Sequence, residues 1–456
     1  MGEILRQSET MRTKKSVIVC IMFLLVIVVN SFSAYDFSTS KMSIIKDQNQ
    51  IITDKFAETA QYVIRENGGY YEAIKGCSNY DASMILYGGS AHAGSVDGKN
   101  AAAVIQAALD NLTDSRTWVE TIAFRGDFKI SNSINLPSYC MLDFGNASLT
   151  LGDHMNALML TNKDYAKGNI EIHLKNGYLY GNSAENTGVF MIQFTGVSNF
   201  SIKNMHLDDP AFGGIWIGSN NATTYASNNF TIANNTINVR NNGHGIVTMK
   251  RASYGEIRDN ILMNVGTDTH EGDPININDE CRYINITGNR INKSKADAIT
   301  IYKNASHINV VNNTFTDCYK GIVLDGTMSY GYPTYVNVTS NNVNNVSAYS
   351  LIYSCGSSYV NISHNIIKNG NNVSGIWVRG KYHDIVGNSL LSIGGDGIYI
   401  SSGAEYAYVA GNFIYHDSTQ TRGIYRAIHA TVNYCVLKNN FIFEANKMPS
   451  NFSPKP

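Results

Sequence analysis

The chain has 456 residues, a formal net charge of −1 and only 16% charged residues. That balance leaves no basic footprint for nucleic acid. The scarcity of charged helix formers beside 39 Gly and 28 Tyr argues against a helical bundle.

At the N-terminus Arg12, Lys14 and Lys15 precede an apolar run from Val17 to Val29. The run is short of the roughly 20 residues a membrane helix needs. It suits a secretory signal with Ser31 and Ser33 before the cut; an uncleaved anchor is the alternative. Either places the bulk of the chain extracellularly or at the cell surface, touching a membrane only through that segment if it is retained. The expected division is 1–33 signal peptide or anchor, 34–116 N-terminal region, 117–445 solenoid and 446–456 flexible tail. In the N-terminal region, Tyr62–Arg65 and Tyr70–Ile74 flank Asn67-Gly68 and predict a hairpin. Asp97-Gly98-Lys99-Asn100 then leads into a helix over Ala101–Leu109, with Val104, Ile105, Ala108 and Leu109 on one side. It would cover the open end of the solenoid. Strand Thr121–Phe124 and the pair Ile130/Ile134 open the first coils.

From there one local pattern returns every 23–29 residues, an Asn with an apolar residue three before it and two after it. The series is Asn235, Asn260, Asn289, Asn313, Asn341, Asn365, Asn388, Asn412 and Asn440. Such a period means a solenoid in which each repeat buries its apolar edge on its neighbours. The Asn amides would stack as a ladder at a sharp corner. A second run follows each Asn, with the period-2 alternation of a strand (Ile275/Ile277, Ile299/Ile301, Ile322/Leu324, Ile398/Ile400). The pattern resembles the right-handed parallel β-helix of the pectin-lyase-like superfamily. The fold expectation is thus all-β, a right-handed parallel β-helix (solenoid) with an N-terminal capping helix. The Asp97–Asn100 turn and the following Ile105-Gln106-Ala107-Ala108 resemble the N-terminal segment of pectate-lyase-like proteins, and Lys175–Gly181 resembles a turn of that superfamily. The hairpin plus helix is similar to archaeal surface β-helix proteins.

Six cysteines follow the signal. Cys281, Cys318, Cys355 and Cys435 fall in different columns of the repeat, which disfavours bridges; Cys435 reads as a buried small residue, and Cys77 with Cys140 stays open as a pair. Sequons include Asn285, Asn337 and Asn361, each four residues before a ladder Asn and so expected to face outward.

In a solenoid, chemistry is read by column. Two residues before the second strand stand Gly213, His244, Asp273, Asp297, Lys320, Tyr349, Ser374 and Asp396. His244, Asp273, Asp297 and Lys320 should line four consecutive coils, with Asp268 and His270 in the loop beside them. Two carboxylates between a His and a Lys suit acid/base work, or Ca²⁺ held through oxygens. An Asp before Gly-Ile or Ala-Ile also suits a capped turn, the reading adopted for Asp396. Arg240, Lys250, Arg251, Lys303 and Lys320 supply cations for an anionic substrate. Gly243-His244-Gly245 resembles the Gly-His-Gly of polygalacturonase-like hydrolases, although no Arg-x-Lys follows in place. Asp268-Thr269-His270-Glu271-Gly272-Asp273 resembles the Asp-Pro-His-Asp of uronate C5-epimerases, without the Pro and with the second Asp displaced. The resemblances imply a polysaccharide lyase, C5-epimerase or glycoside hydrolase, with catalytic candidates His270, His244, Asp273, Asp297 and Asp268. The alternative is a non-catalytic, glycosylated cell-envelope or adhesion protein. Either takes a polysaccharide or envelope glycan as partner, and Trp216, Trp377 and Tyr399 suit sugar stacking.

Overall fold

The computed structural model describes residues 60–76, 84–219, 225–240, 243–266, 272–348, 350–370, 373–416, 428–432 and 434–444. The expected signal and tail lie outside them, as do Cys77, Asp268 and His270. Among the described residues no helix is long and apolar enough to cross a membrane.

The Asn ladder forms as expected and sets the coil. In mid-stack, Asn289 donates its backbone N–H and Nδ2 to Asn313 Oδ1, both at 2.9 Å, and Nδ2 also donates to Ile257 O at 2.8 Å. The same three bonds recur through Asn412 onto Asn440. Each internal ladder Asn is at most 1% exposed. An amide at this corner thus satisfies a backbone N–H and a backbone C=O of the coil before it, which an apolar residue could not do.

Strands then stack coil on coil in register. One series runs Asn228–Ala233, Ser253–Arg258, Arg282–Thr287, Ser306–Val311 and Thr334–Thr339, all parallel. A second, beyond the ladder corner, runs Thr236–Asn238, Ile261–Met263, Arg290–Asn292 and Thr314–Cys318. A third runs Ile246–Thr248, Ile275–Ile277, Asp297–Tyr302 and Lys320–Asp325. The result is an all-β parallel solenoid of about 12 turns. Inward Ile, Val, Leu and Phe form one continuous core along its length. The corners turn on left-handed residues such as Asp259 (φ 55°), Asn264 (φ 54°) and Asn312 (φ 56°). Asn and Asp adopt that conformation most readily after Gly, which accounts for their number here.

At the N-terminal end Tyr62–Asn67 pairs antiparallel with Tyr70–Lys75 and parallel with Glu120–Arg125, so the hairpin extends the first coil's sheet. Helix Ala101–Asp110 comes next, with Asn100 Oδ1 accepting from Ala103 N–H. Its buried Val104, Ile105, Ala108 and Leu109 join the solenoid core. Gln106 fastens it to strand Ile134–Leu136 through two bonds with the Asn135 backbone, at 2.8 and 3.1 Å.

Three details differ from expectation. Lys175–Gly181 is no separate turn: strand Ile172–Tyr180 runs through it and bends at Asn176 (φ 60°). In the third series Ile322 pairs with Ile352, so Ser350 and not Tyr349 stands in the column after Lys320. Leu351 and Ile352 are both fully buried, so apolar pattern alone does not choose between the two registers. Cys435 occupies the expected inward column but is half-buried; Cys140, Cys281 and Cys318 are buried and, with Cys355 and Cys435, free.

Candidate functional site

The third strand series presents its outward side chains on one face, and the predicted column forms its leading edge. Gly214 donates to His244 O and Gly245 to Asp273 O, while Asp297 pairs with Lys320 in the sheet. His244, Asp273, Asp297 and Lys320 thus stand on four successive coils, about 4.8 Å apart.

The bonds among them fix distinct protonation states. Asp273 N–H donates to His244 Nδ1 at 2.9 Å, which places the imidazole proton on Nε2. Burial holds the His244 pKa below its ordinary value, so the ring is neutral, and it meets Phe212 in a T-shaped contact (centroids 5.6 Å apart). Burial, then the neighbouring charge of Asp297, pushes Asp273 up to about 7. Asn276 Nδ2 donates to Asp273 Oδ2 at 2.6 Å and offsets part of that rise. Asp297 is held by Lys320 Nζ, at 3.0 Å from Oδ1 and 3.2 Å from Oδ2. The two carboxyls therefore differ: one shares its proton with solvent near neutrality, the other is ion-paired. Among the described residues, Asn276 Oδ1 and Ser350 Oγ on this face are buried with no hydrogen-bond partner.

The other predicted residues separate. Lys250, Arg251 and Lys303 line the opposite edge of the same sheet, six or seven residues along the strands, about 20 Å at 3.3 Å per residue. Lys303 Nζ lies 3.6 Å from Asp279 and 5.1 Å from the Tyr330 ring centroid, and Lys250 Nζ 5.9 Å from that of Trp216. These cations flank the sheet but are not at the carboxyls. Arg240 sits on the preceding corner and pairs with Asp208 at 3.0 Å. Asp268 and His270 lie outside the described residues. Among those described, no three His, Cys, Asp or Glu side chains group so as to hold a metal ion.

One pairing was missed. Asp396 is more than a capped turn: its Oδ2 lies 2.9 Å from His429 Nδ1. His429 ends an outward row on the same face, Tyr353, Trp377, Tyr399 and His429. Tyr353 stacks on Trp377 (4.6 Å) and Tyr399 on His429 (4.5 Å), but Trp377 and Tyr399 meet at 79°, which breaks the stack. Arg379 is exposed beside them. The face therefore carries an acidic centre and, further along, an aromatic row with a cation.

The fold defines the class, a parallel β-helix solenoid, similar in fold to known right-handed parallel β-helices. Residues 279–423 match the family described as periplasmic copper-binding protein (NosD). Among solved structures the chain is similar to the A-module of mannuronan C-5 epimerase AlgE6 from Azotobacter vinelandii, with TM-score 0.53, 14% identity, and 76% of this chain and 96% of that chain covered. It is also similar to a tailspike protein of E. coli bacteriophage HK620 in complex with a pentasaccharide, with TM-score 0.54, 13% identity, and 87% and 86% covered. The periplasmic alginate epimerase AlgG aligns with TM-score 0.50 and 12% identity over 74% of this chain and 82% of that chain. At these identities the likeness concerns the fold. No curated protein matches the sequence.

Proposed function

We propose that this is an exported β-helix protein that acts on an extracellular or envelope polysaccharide at the His244–Asp273–Asp297–Lys320 face. The observation that carries the reading is the Asp273 carboxyl, held to about 7 beside a neutral His and an ion-paired Asp. A group that titrates near the working pH is the best placed to take or give a proton in a transition state. Asp273 would serve as that acid or base, and His244 Nε2–H would donate to a sugar oxygen. Lys320 would stabilise an anionic sugar carboxylate or its developing charge. Asp268 and His270, which precede Asp273 in the sequence, belong to the same proposal. Proton abstraction next to a uronate carboxyl, leading to elimination or epimerisation, fits the single poised group best; hydrolysis by Asp273 and Asp297 together is the variant. The polysaccharide-acting and saccharide-bound β-helix neighbours support the substrate class, and the basic and apolar N-terminal run supports export.

A non-catalytic glycan-binding reading rests on the aromatic row: the break between Trp377 and Tyr399 opens a ring face to a sugar, with Arg379 alongside. Purified protein incubated with uronate polymers decides between them. Unsaturated product, new reducing ends or incorporation of solvent deuterium at carbon supports the enzyme. Binding without any of the three supports the binder.

A further inference from the structure

Six residues before each of the last eight ladder asparagines stands an aromatic ring: Tyr254, Tyr283, His307, Tyr335, Tyr359, Tyr382, Tyr406 and Tyr434. They stack into one uninterrupted column on the outward side of the first strand series, with centroids 4.7–5.5 Å apart at every step. Every one has a left-handed backbone (φ 54° to 68°), which costs a non-glycine residue roughly 1–2 kcal/mol. The rings are outside the core. The seven tyrosines are 44–72% exposed, and the column borders a shallow groove toward Glu256, Asn285 and Asn309.

We infer that this ring column is a self-association surface, on which a second copy of the chain packs side by side and antiparallel. Size is the first argument. At 150–250 Å² per tyrosine, about half exposed, the seven tyrosines present roughly 700 Å². The largest apolar patch on a monomer is typically about 300–600 Å², and a stable interface takes about 800 Å² from each partner. Ring geometry is the second. Between the end rings Tyr254 and Tyr434 each face is covered by the next ring, so a sugar cannot stack there; the exposed parts are ring edges and hydroxyls. Those are the parts of tyrosine that make protein interfaces.

Symmetry is the third. The even spacing lets the column meet its own reverse about a two-fold axis between Tyr335 and Tyr359, an isologous contact. That operation brings exposed Arg282, beside Tyr283, to half-buried Glu405 of the other copy, beside Tyr406, where it would join the existing Lys381–Glu405 pair (3.0 Å), and does so twice. A net charge of −1 sets little general repulsion against it.

Sedimentation of the purified full chain across micromolar concentrations tests this. Expected is a mass of two copies, falling to one for Tyr335→Arg with Tyr359→Arg, whose new charges would face each other across the axis. Arg282→Glu should raise the dissociation constant at least tenfold, and Arg282→Glu with Lys381→Glu and Glu405→Arg, which keeps the 381–405 ion pair with its charges reversed, should restore it. A wild-type chain that sediments as one copy overturns the inference. So do Tyr335, Tyr359 and Arg282 variants that all keep the wild-type mass, or a single-copy chain whose tyrosine fluorescence shifts on adding a neutral polysaccharide, which would make a glycan the occupant.

Discussion

Replacing Asn313 by Ala removes the acceptor for two groups at once, the Asn289 backbone N–H and one Asn289 Nδ2 hydrogen, both at 2.9 Å. It also removes the donor to Ile286 O at 2.8 Å. Asn289 is fully buried, so bulk water does not replace the lost oxygen. An orphaned buried donor costs about 1–3 kcal/mol, so two orphans place the loss at about 2–4 kcal/mol once a partly hydrated cavity is allowed for. Asn440 receives the same two bonds from Asn412 but is half-buried at the last described coil. Asn412 is itself fully buried, but removing half-buried Asn440 at the last described coil opens it to water, and Asn440→Ala should cost below about 1 kcal/mol. Because stacked repeats need not melt in one step, the assay pairs a thermal melt with hydrogen exchange at the Asn289 amide. Asn313→Ala should lower the melting temperature more than Asn440→Ala and speed exchange at Asn289. Equal effects from the two variants would refute the view that the ladder is a buried, water-excluded chain of bonds.

Other expected outcomes concern pH, export and the site. His383 replaces the inward aliphatic of its column; it is fully buried, with Nε2 3.0 Å from Ser354 Oγ, and burial pushes its pKa down to about 4. The unfolded chain binds that proton first, so stability is full above about pH 6.5 and falls toward pH 4, by roughly 3 kcal/mol in all; His383→Leu should flatten the curve, measured by melting across that range. Asp273 has the opposite sign: its raised pKa makes the folded chain hold the proton longer, so stability declines as pH rises from about 4 to 7, and Asp273→Asn should melt higher than wild type at pH 8. N-terminal sequencing of the exported protein should find a cut near Ser33; an intact Val17–Val29 in the membrane fraction would establish the anchor.

The fold was legible because from Asn235 onward one buried amide recurs in every coil, and an apolar side chain at Asn260 or Asn313 would orphan its neighbour's backbone. The His244–Lys320 column was legible for a related reason, since strand pairing carries an offset from a Pro-Ile or Ala-Ile pair through every coil. Where the offset slips, reading by column fails. Two buried residues, Leu351 and Ile352, made the Ser350 register ambiguous, and a sequence separation of 33 residues hid the pairing of His429 with Asp396. The tyrosine column was open to the same method at a constant six residues before the ladder, but a search for chemistry attends to titratable groups and passes over it. Side-chain offset also cannot show which cations reach the carboxyls. Lys250 and Lys303 share the sheet with Asp273 yet stand at its other edge, and Arg240 turns back to Asp208.

The most direct test of the proposed activity compares wild-type protein with Asp273→Asn on whichever uronate polymer the wild type turns over, with rates measured from pH 5 to 9. The account predicts a wild-type profile with an inflection near 7, a loss of about 10²-fold or more in kcat in the variant, and disappearance of that inflection while the protein stays folded. Turnover in Asp273→Asn equal to wild type, with the inflection intact, would place the chemistry elsewhere on the solenoid.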